Sequence, residues 1–152
     1  MVNSERIEQA IRNHFPEAVE ETSEVFGVPT LYVHPDAIVD ICAFLKENAG
    51  LEFDYLMSLS AVDWPDRFDV VYHLYSVSHK HYVTLKSKIG KEQPTIASVT
   101  SVWKAADWQE REVYDMFGIE FEGHPDLRRI LLEPDWEGFP LRKDYAEANG
   151  SD

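Results

Sequence analysis

Three stretches near the middle of the chain, 53–62, 68–77 and 82–89, most sharply limit what it can fold into. Each is rich in Val, Leu, Tyr or Phe, and only a short polar segment separates one from the next. Asp63-Trp64-Pro65-Asp66 makes the first of those turns. In the third stretch Val83 and Leu85 alternate with Thr84 and Lys86, the period of a strand with one dry face. Strand, turn and strand at this spacing favour a mainly antiparallel sheet, whose apolar side must be covered by helices. The first stretch, nearly continuous in apolar residues apart from Ser58 and Ser60, reads as a central strand.

Helices are available for the cover. Ser4 caps a stretch 4–14 in which Ile7, Ala10 and Ile11 share a face, and Pro16 ends it. Pro35 opens a second helix, along which Ile38, Ile41, Cys42 and Leu45 run at helical spacing to Gly50, a natural left-handed stop. Between them, Val19 to Val25 alternates with acids as a strand with at least one wet side. Gly27 then turns the chain and Leu31-Tyr32-Val33 returns it. The expected fold is a single α+β domain: a mainly antiparallel sheet with helices packed on one face, over residues 1–122. An extended, largely irregular C-terminal arm occupies 123–152.

The net charge of −14 argues against nucleic acid or an anionic membrane as a direct partner. Acids exceed cations 9 to 3 in residues 1–50 and 13 to 6 in 101–152. Solubility and an acidic face for a basic neighbour both explain that bias. The single cysteine, Cys42, excludes an internal disulfide framework and any cluster or zinc site held by this chain's cysteines alone. Its apolar helical setting reads as a buried structural thiol. The N-terminus is charged and lacks the apolar stretch of a signal peptide, and no run is long enough to span a bilayer. The expected location is cytoplasmic or peripheral.

Residues 101–145 carry the most specific information. Residues 107–117 have the marks of a helix: Asp107 and Glu110 stand as a capping box, and Gly118 follows Met116 and Phe117 as the left-handed stop. Trp103 and Ala106 either extend this helix backwards or belong to a separate turn. Ala106, Val113, Met116 and Phe117 fall on one stripe. Arg111 is four residues from both Asp107 and Asp115 and can meet either carboxylate. Glu110, Glu112, Asp115 and Glu120 read as an ion-pair network around Arg111 rather than a cation site. Residues 123–145 contain three prolines, two glycines, Trp136, Phe139, Tyr145 and the cations Arg128, Arg129, Arg142 and Lys143. Only 127–133 offers a short regular element. Irregular segments of this length are usually functional or disordered, and this composition argues against disorder. Segments rich in Trp, Tyr and Arg make interfaces.

The blocks EREVYDMFGI at 110–119, GHPDLRRILL at 123–132 and PLRKDY at 140–145 resemble, in order and spacing, the thirty-kilodalton subunit family of respiratory complex I. Its bacterial members are the C subunits of NADH:quinone oxidoreductase. The first two-thirds of the chain resembles the family only in its run of elements. The resemblance implies a structural subunit in the hydrophilic arm of a proton-translocating enzyme, peripheral on the cytoplasmic side of the membrane. It implies that FMN, iron–sulfur clusters, NADH and quinone are bound by other subunits. It implies the quinone-site D subunit and the iron–sulfur B and I subunits as neighbours. The equivalent subunit of a membrane-bound hydrogenase, an F420 dehydrogenase or the photosynthetic NDH complex fits the same blocks. The candidate interface residues are Arg111, Glu112, Asp115, His124, Arg128, Arg129, Trp136, Arg142, Lys143, Asp144 and Tyr145.

A reading from a different class makes Glu112 and His124 the acid–base pair of a small hydrolase. No nucleophile, phosphate loop or metal motif completes that set. His79 and His81 form an H-x-H pair with no third ligand at a recognisable spacing, which disfavours a metal site. No catalytic, cofactor-binding or metal-ligating residue is expected in the chain itself.

Overall fold

The computed structural model describes residues 4–144. Helix α1 (Ser4–His14) is followed by the hairpin β1 (Val19–Val25) and β2 (Val28–Val33), a 3-10 turn Pro35–Ala37, and helix α2 (Ile38–Glu47). Then come β3 (Tyr55–Asp63), β4 (Phe68–Ser76), β5 (His81–Ile89), the short β6 (Thr95–Ala97), helix α3 (Ala106–Phe117) and the short β7 (Glu120–Glu122). The three apolar stretches are strands as expected, and residues 4–14 form the expected helix.

The large sheet has the order β1-β2-β5-β4-β3. Three of its four pairings are antiparallel, but β2 and β5 run parallel. The crossover from β2 through α2 returns the chain to the same end of the sheet, which a hairpin cannot do. β3 therefore lies at the edge rather than the centre, contrary to the expectation from its apolar run. Its inner face is dry because α3 packs on it, and the Leu59 N–H is met by the Gln109 side chain at 2.6 Å. A second sheet of two parallel strands, β6 and β7, brackets α3 and has no counterpart in the sequence pattern.

One core joins the inner sheet face to all three helices. Leu31, Leu56, Leu59, Val70, Tyr72, Leu74, Val83 and Leu85 meet Ile7, Ile11, Ile38, Ile41, Leu45 and Val113. Each such side chain contributes roughly 1.5–3 kcal/mol when fully buried. Cys42 is buried in this core, as its apolar setting indicated. Residues 127–133 form no regular element.

Candidate functional site

Helix α3 ends where a residue without a side chain is required. Gly118 has φ 77° and donates its N–H to the Tyr114 carbonyl at 2.8 Å. A Cβ there would lie 2.6 Å from the Phe139 ring, so the arm's aromatic side chain packs directly on the helix stop. The start of the helix differs from expectation. Ala105 is the N-cap and makes no side-chain cap bond, and residues 100–105 are irregular. Asp107 and Glu110 do not form a capping box, because each has a tertiary partner.

Asp115 organises the arm. Fully buried, its Oδ2 accepts the N–H groups of Ile130, Leu131 and Leu132 at 3.1, 2.7 and 3.0 Å. Its Oδ1 accepts from Arg129 at 2.7 Å. The Arg129 guanidinium also donates to the Gly138 carbonyl at 2.7 Å, closing the loop between the two. Burial would raise the Asp115 pKa, but Arg129 and the three N–H donors outweigh it and hold the carboxyl below the usual range. Arg111 does not pair with Asp107 or Asp115. Its guanidinium donates to the carbonyls of Arg128 and Arg129, both at 3.1 Å, because the arm's backbone passes in front of it.

The far end of the arm is tied down in the same way. The Arg142 guanidinium sits 5.3 Å from the Phe68 ring centre and 5.0 Å from that of Phe139. The Leu141 N–H bonds the Met116 carbonyl at 2.9 Å, and the Lys143 N–H bonds Asp63 Oδ2 at 2.8 Å. Asp63 is also paired with Lys91.

His124 has a fully buried side chain. Its Nδ1 accepts the Asp126 N–H at 2.9 Å, so Nε2 carries the proton and donates toward Asp107, with Oδ1 and the carbonyl each at 3.1 Å. Glu112 is exposed, and it does not meet His124 as the hydrolase reading requires. The ring of His79 stacks on that of His81 at 5.4 Å, while their Nε2 atoms meet Glu52 and the Leu51 carbonyl. Among the described residues no group of three His, Cys, Asp or Glu side chains is placed to hold a metal ion.

Two elements of this region escaped the sequence pattern. Glu110 is fully buried and makes no ion pair among the described residues. It accepts from Ser98 Oγ at 2.6 Å and from the Val99 N–H at 2.8 Å, which ties α3 to the loop after β6. Burial raises its pKa, against the effect of those two bonds. Phe139, the residue packed on Gly118, belongs to the arm, and only the adjacent Pro140 marks its position in the sequence.

Of the candidate interface residues, Arg111, Asp115, Arg129 and Arg142 thus hold the arm to its own chain. Glu112, Arg128, Trp136, Lys143 and Asp144 are exposed. Tyr145 lies outside the described residues.

Residues 31–150 match the family model described as the respiratory-chain NADH dehydrogenase 30 kDa subunit. The chain belongs to that family. A relative from Rhizobium meliloti, the second of two C subunits of its NADH-quinone oxidoreductases, is 49% identical over 90% of this chain and 76% of its own length. The corresponding C subunit of Geobacter sulfurreducens is 41% identical over 95% of this chain and 91% of its own. That of Chloroherpeton thalassium is 47% identical, and the chain spans 58% of it.

Among solved structures, a trypsin-resistant fragment (1–134) of Nqo5 superposes with a TM-score of 0.69 at 28% identity, over 80% of this chain and 99% of that one. A chain of an archaeal membrane-bound sulfane sulfur reductase, described as a respiratory membrane complex, superposes with a TM-score of 0.79 at 29% identity, over 95% and 86%. The three sequence blocks that carry the family resemblance are the three parts of the internal lock. The first supplies Arg111, Asp115 and Gly118, the second His124, Arg129 and the three N–H donors, the third Arg142. No helix among the described residues is long and apolar enough to cross a membrane.

Proposed function

We propose that the chain is a cofactor-free brace in the hydrophilic arm of a proton-translocating NADH:quinone oxidoreductase. It stands beside the quinone-site D subunit and the iron–sulfur B and I subunits, on the cytoplasmic side of the membrane. FMN, the iron–sulfur clusters, NADH and quinone are held by those and other subunits, and no residue of this chain carries out chemistry. One observation carries the reading: the lock around Asp115 fixes an irregular arm while leaving apolar side chains in water. Leu131, Trp136 and Leu141 on the arm, and Trp108 on α3, are all exposed. Prolines and the lock lower the entropy lost when such a surface docks. Exposed Trp and Leu anchored on a rigid support have the character of an interface centre.

NADH is favoured as the donor for the whole assembly because the relatives at 41–49% identity bear the name NADH-quinone oxidoreductase. The likeness to a chain of the sulfane sulfur reductase supports a place in a respiratory membrane complex, without selecting the donor. A mild-detergent purification of the tagged chain tests the proposal. Co-elution of flavin and iron–sulfur subunits with NADH:quinone activity is the expected result. Recovery of the chain alone, with no such activity in the eluate, overturns it.

A further inference from the structure

The face of the large sheet that turns away from the helices is uncovered, and its rows of side chains are unevenly built. One row across all five strands, Ser23–Thr30–Thr84–His73–Ser58, consists of small or polar residues. On one side of it lies the row Tyr82–Tyr75–Tyr55, with the Tyr75 and Tyr82 rings 4.5 Å apart. On the other lies Glu21–Tyr32–Lys86–Val71–Ser60. The small row is therefore the floor of a recess of about 400 Å³, deep enough that Thr30 and Thr84 are only 5% and 6% exposed. Met57 and Tyr82 rim it, and the tip of the β1–β2 hairpin overhangs one end.

That tip is an unusual choice of residue. Phe26 and Gly27 both have positive φ, 51° and 79°, the geometry of the tight hairpin turn in which Asn-Gly is the favoured pair. A bulky side chain is strained there, and this one, 101% exposed, stands wholly in solvent. Folding of this chain does not explain it.

We infer that this recess is the seat of an amphipathic helix from another subunit of the assembly, with Phe26 as an anchor over it. The inference rests on the reading of the chain as a subunit, above, and adds a second docking surface to the one on the arm. Three features select a helix. Rows two residues to either side of the floor are about 13 Å apart, which admits a helix of about 10–12 Å diameter. The five strands offer about 19 Å of floor, the length of about 13 helical residues. The floor's hydroxyls leave no continuous apolar strip to match a second sheet.

Charge selects the sequence of that helix. No lining residue is acidic in a chain with 28 acids, and Lys86 is the cation of the lining. Lys88 is already paired with Glu21 at 2.9 Å, whereas Lys86 lies over the Tyr32 ring, 5.6 Å away, with no ion pair among the described residues. The occupant thus presents an aliphatic or aromatic stripe to the tyrosines and Phe26, and an Asp or Glu to Lys86.

The test uses the intact membrane complex. A photo-crosslinking benzoylphenylalanine is placed at position 26 and, separately, at 82, and crosslinked peptides are identified by mass spectrometry. Both positions are expected to mark one helical segment of one other subunit, with a carboxylate among its residues. Crosslinks to a second copy of this chain, to an extended segment, or to nothing within a complex that contains the chain overturn the inference alone. Absence of the chain from the NADH-oxidising complex overturns the reading beneath it. The variant Phe26→Asn separates docking from folding, since Asn suits the turn better than Phe. The isolated variant is expected to melt at or above the wild-type temperature, yet its retention in the complex falls about tenfold after a salt wash. Retention equal to wild type overturns the anchor role.

Discussion

Asp115 has two kinds of partner, a cation and a row of backbone donors, and both are lost together if it is changed. Asp115→Ala leaves Arg129 without its buried counter-charge and three N–H groups without an acceptor. Breaking a buried pair in this way costs about 3–5 kcal/mol, and urea unfolding of the isolated chain is the measurement. Gly118→Ala acts differently. The left-handed backbone costs a residue with a side chain about 1–2 kcal/mol, and the new methyl meets Phe139 at less than contact distance. The expected outcome is a lower urea midpoint together with faster proteolysis after residue 133, where Phe139 has been displaced. Glu110 is the opposite case, a carboxylate buried without an ion-pair partner. Its folded pKa is raised above its unfolded value. The ionised form is therefore a burden above the folded pKa, and that burden disappears as pH falls toward the ordinary carboxylate value of about 4.3. Stability of the wild-type chain is expected to show this gain on acidification, and Glu110→Gln to show less of it, by thermal melts across that range.

At the scale of elements, α3 is the joint of the molecule. It buries one edge of the large sheet, bridges the β6–β7 pair through Glu110, and carries the arm on Asp115 and Gly118. The arm has no secondary structure, so its order depends on side-chain acceptors, and those titrate. Asp115 has a depressed pKa, so its contribution is present above the unfolded value of about 3.9 and is lost as pH falls through the lower folded value. Asp63, which holds the Lys143 N–H, is depressed too, because the bonds from Lys91 and Lys143 outweigh its burial. Hydrogen exchange on residues 127–144 should stay slow down to about pH 4 and accelerate below it, sooner than in the strands of the core. Uniform loss of protection over arm and core alike would show that the arm has no separate stability.

At the scale of the whole molecule, two uncovered surfaces lie on different parts of the fold: the arm with Leu131, Trp136 and Leu141, and the open sheet face under Phe26. A brace between neighbours needs two such surfaces. Trp136→Ala combined with Leu131→Ser is expected to leave the isolated chain's melting temperature within about 2 °C, since both side chains are in water. It is also expected to reduce co-purification of the flavin and iron–sulfur subunits at least about fivefold. Full co-purification would remove the arm from the interface.

Much of this was legible in the sequence, for identifiable reasons. The strand stretches, α1, α2 and the stop at Gly118 rest on local periodicity and on glycine and proline, which act over a few residues. The three blocks of 110–145 carry the family in their spacing alone. What only the tertiary structure decided involves partners distant along the chain. β3 became an edge because β2 pairs with β5 across α2. Asp107 and Glu110 left the capping box because His124 and the Ser98–Val99 loop reach them. Arg111 gave up its helix-face carboxylates for carbonyls 17 and 18 residues away. Local pattern describes what a residue can do within its own turn of helix. Which long-range donor or acceptor arrives first in space is set by packing, and a desolvated partner outweighs an exposed i,i+4 pair of about 0.3–0.5 kcal/mol.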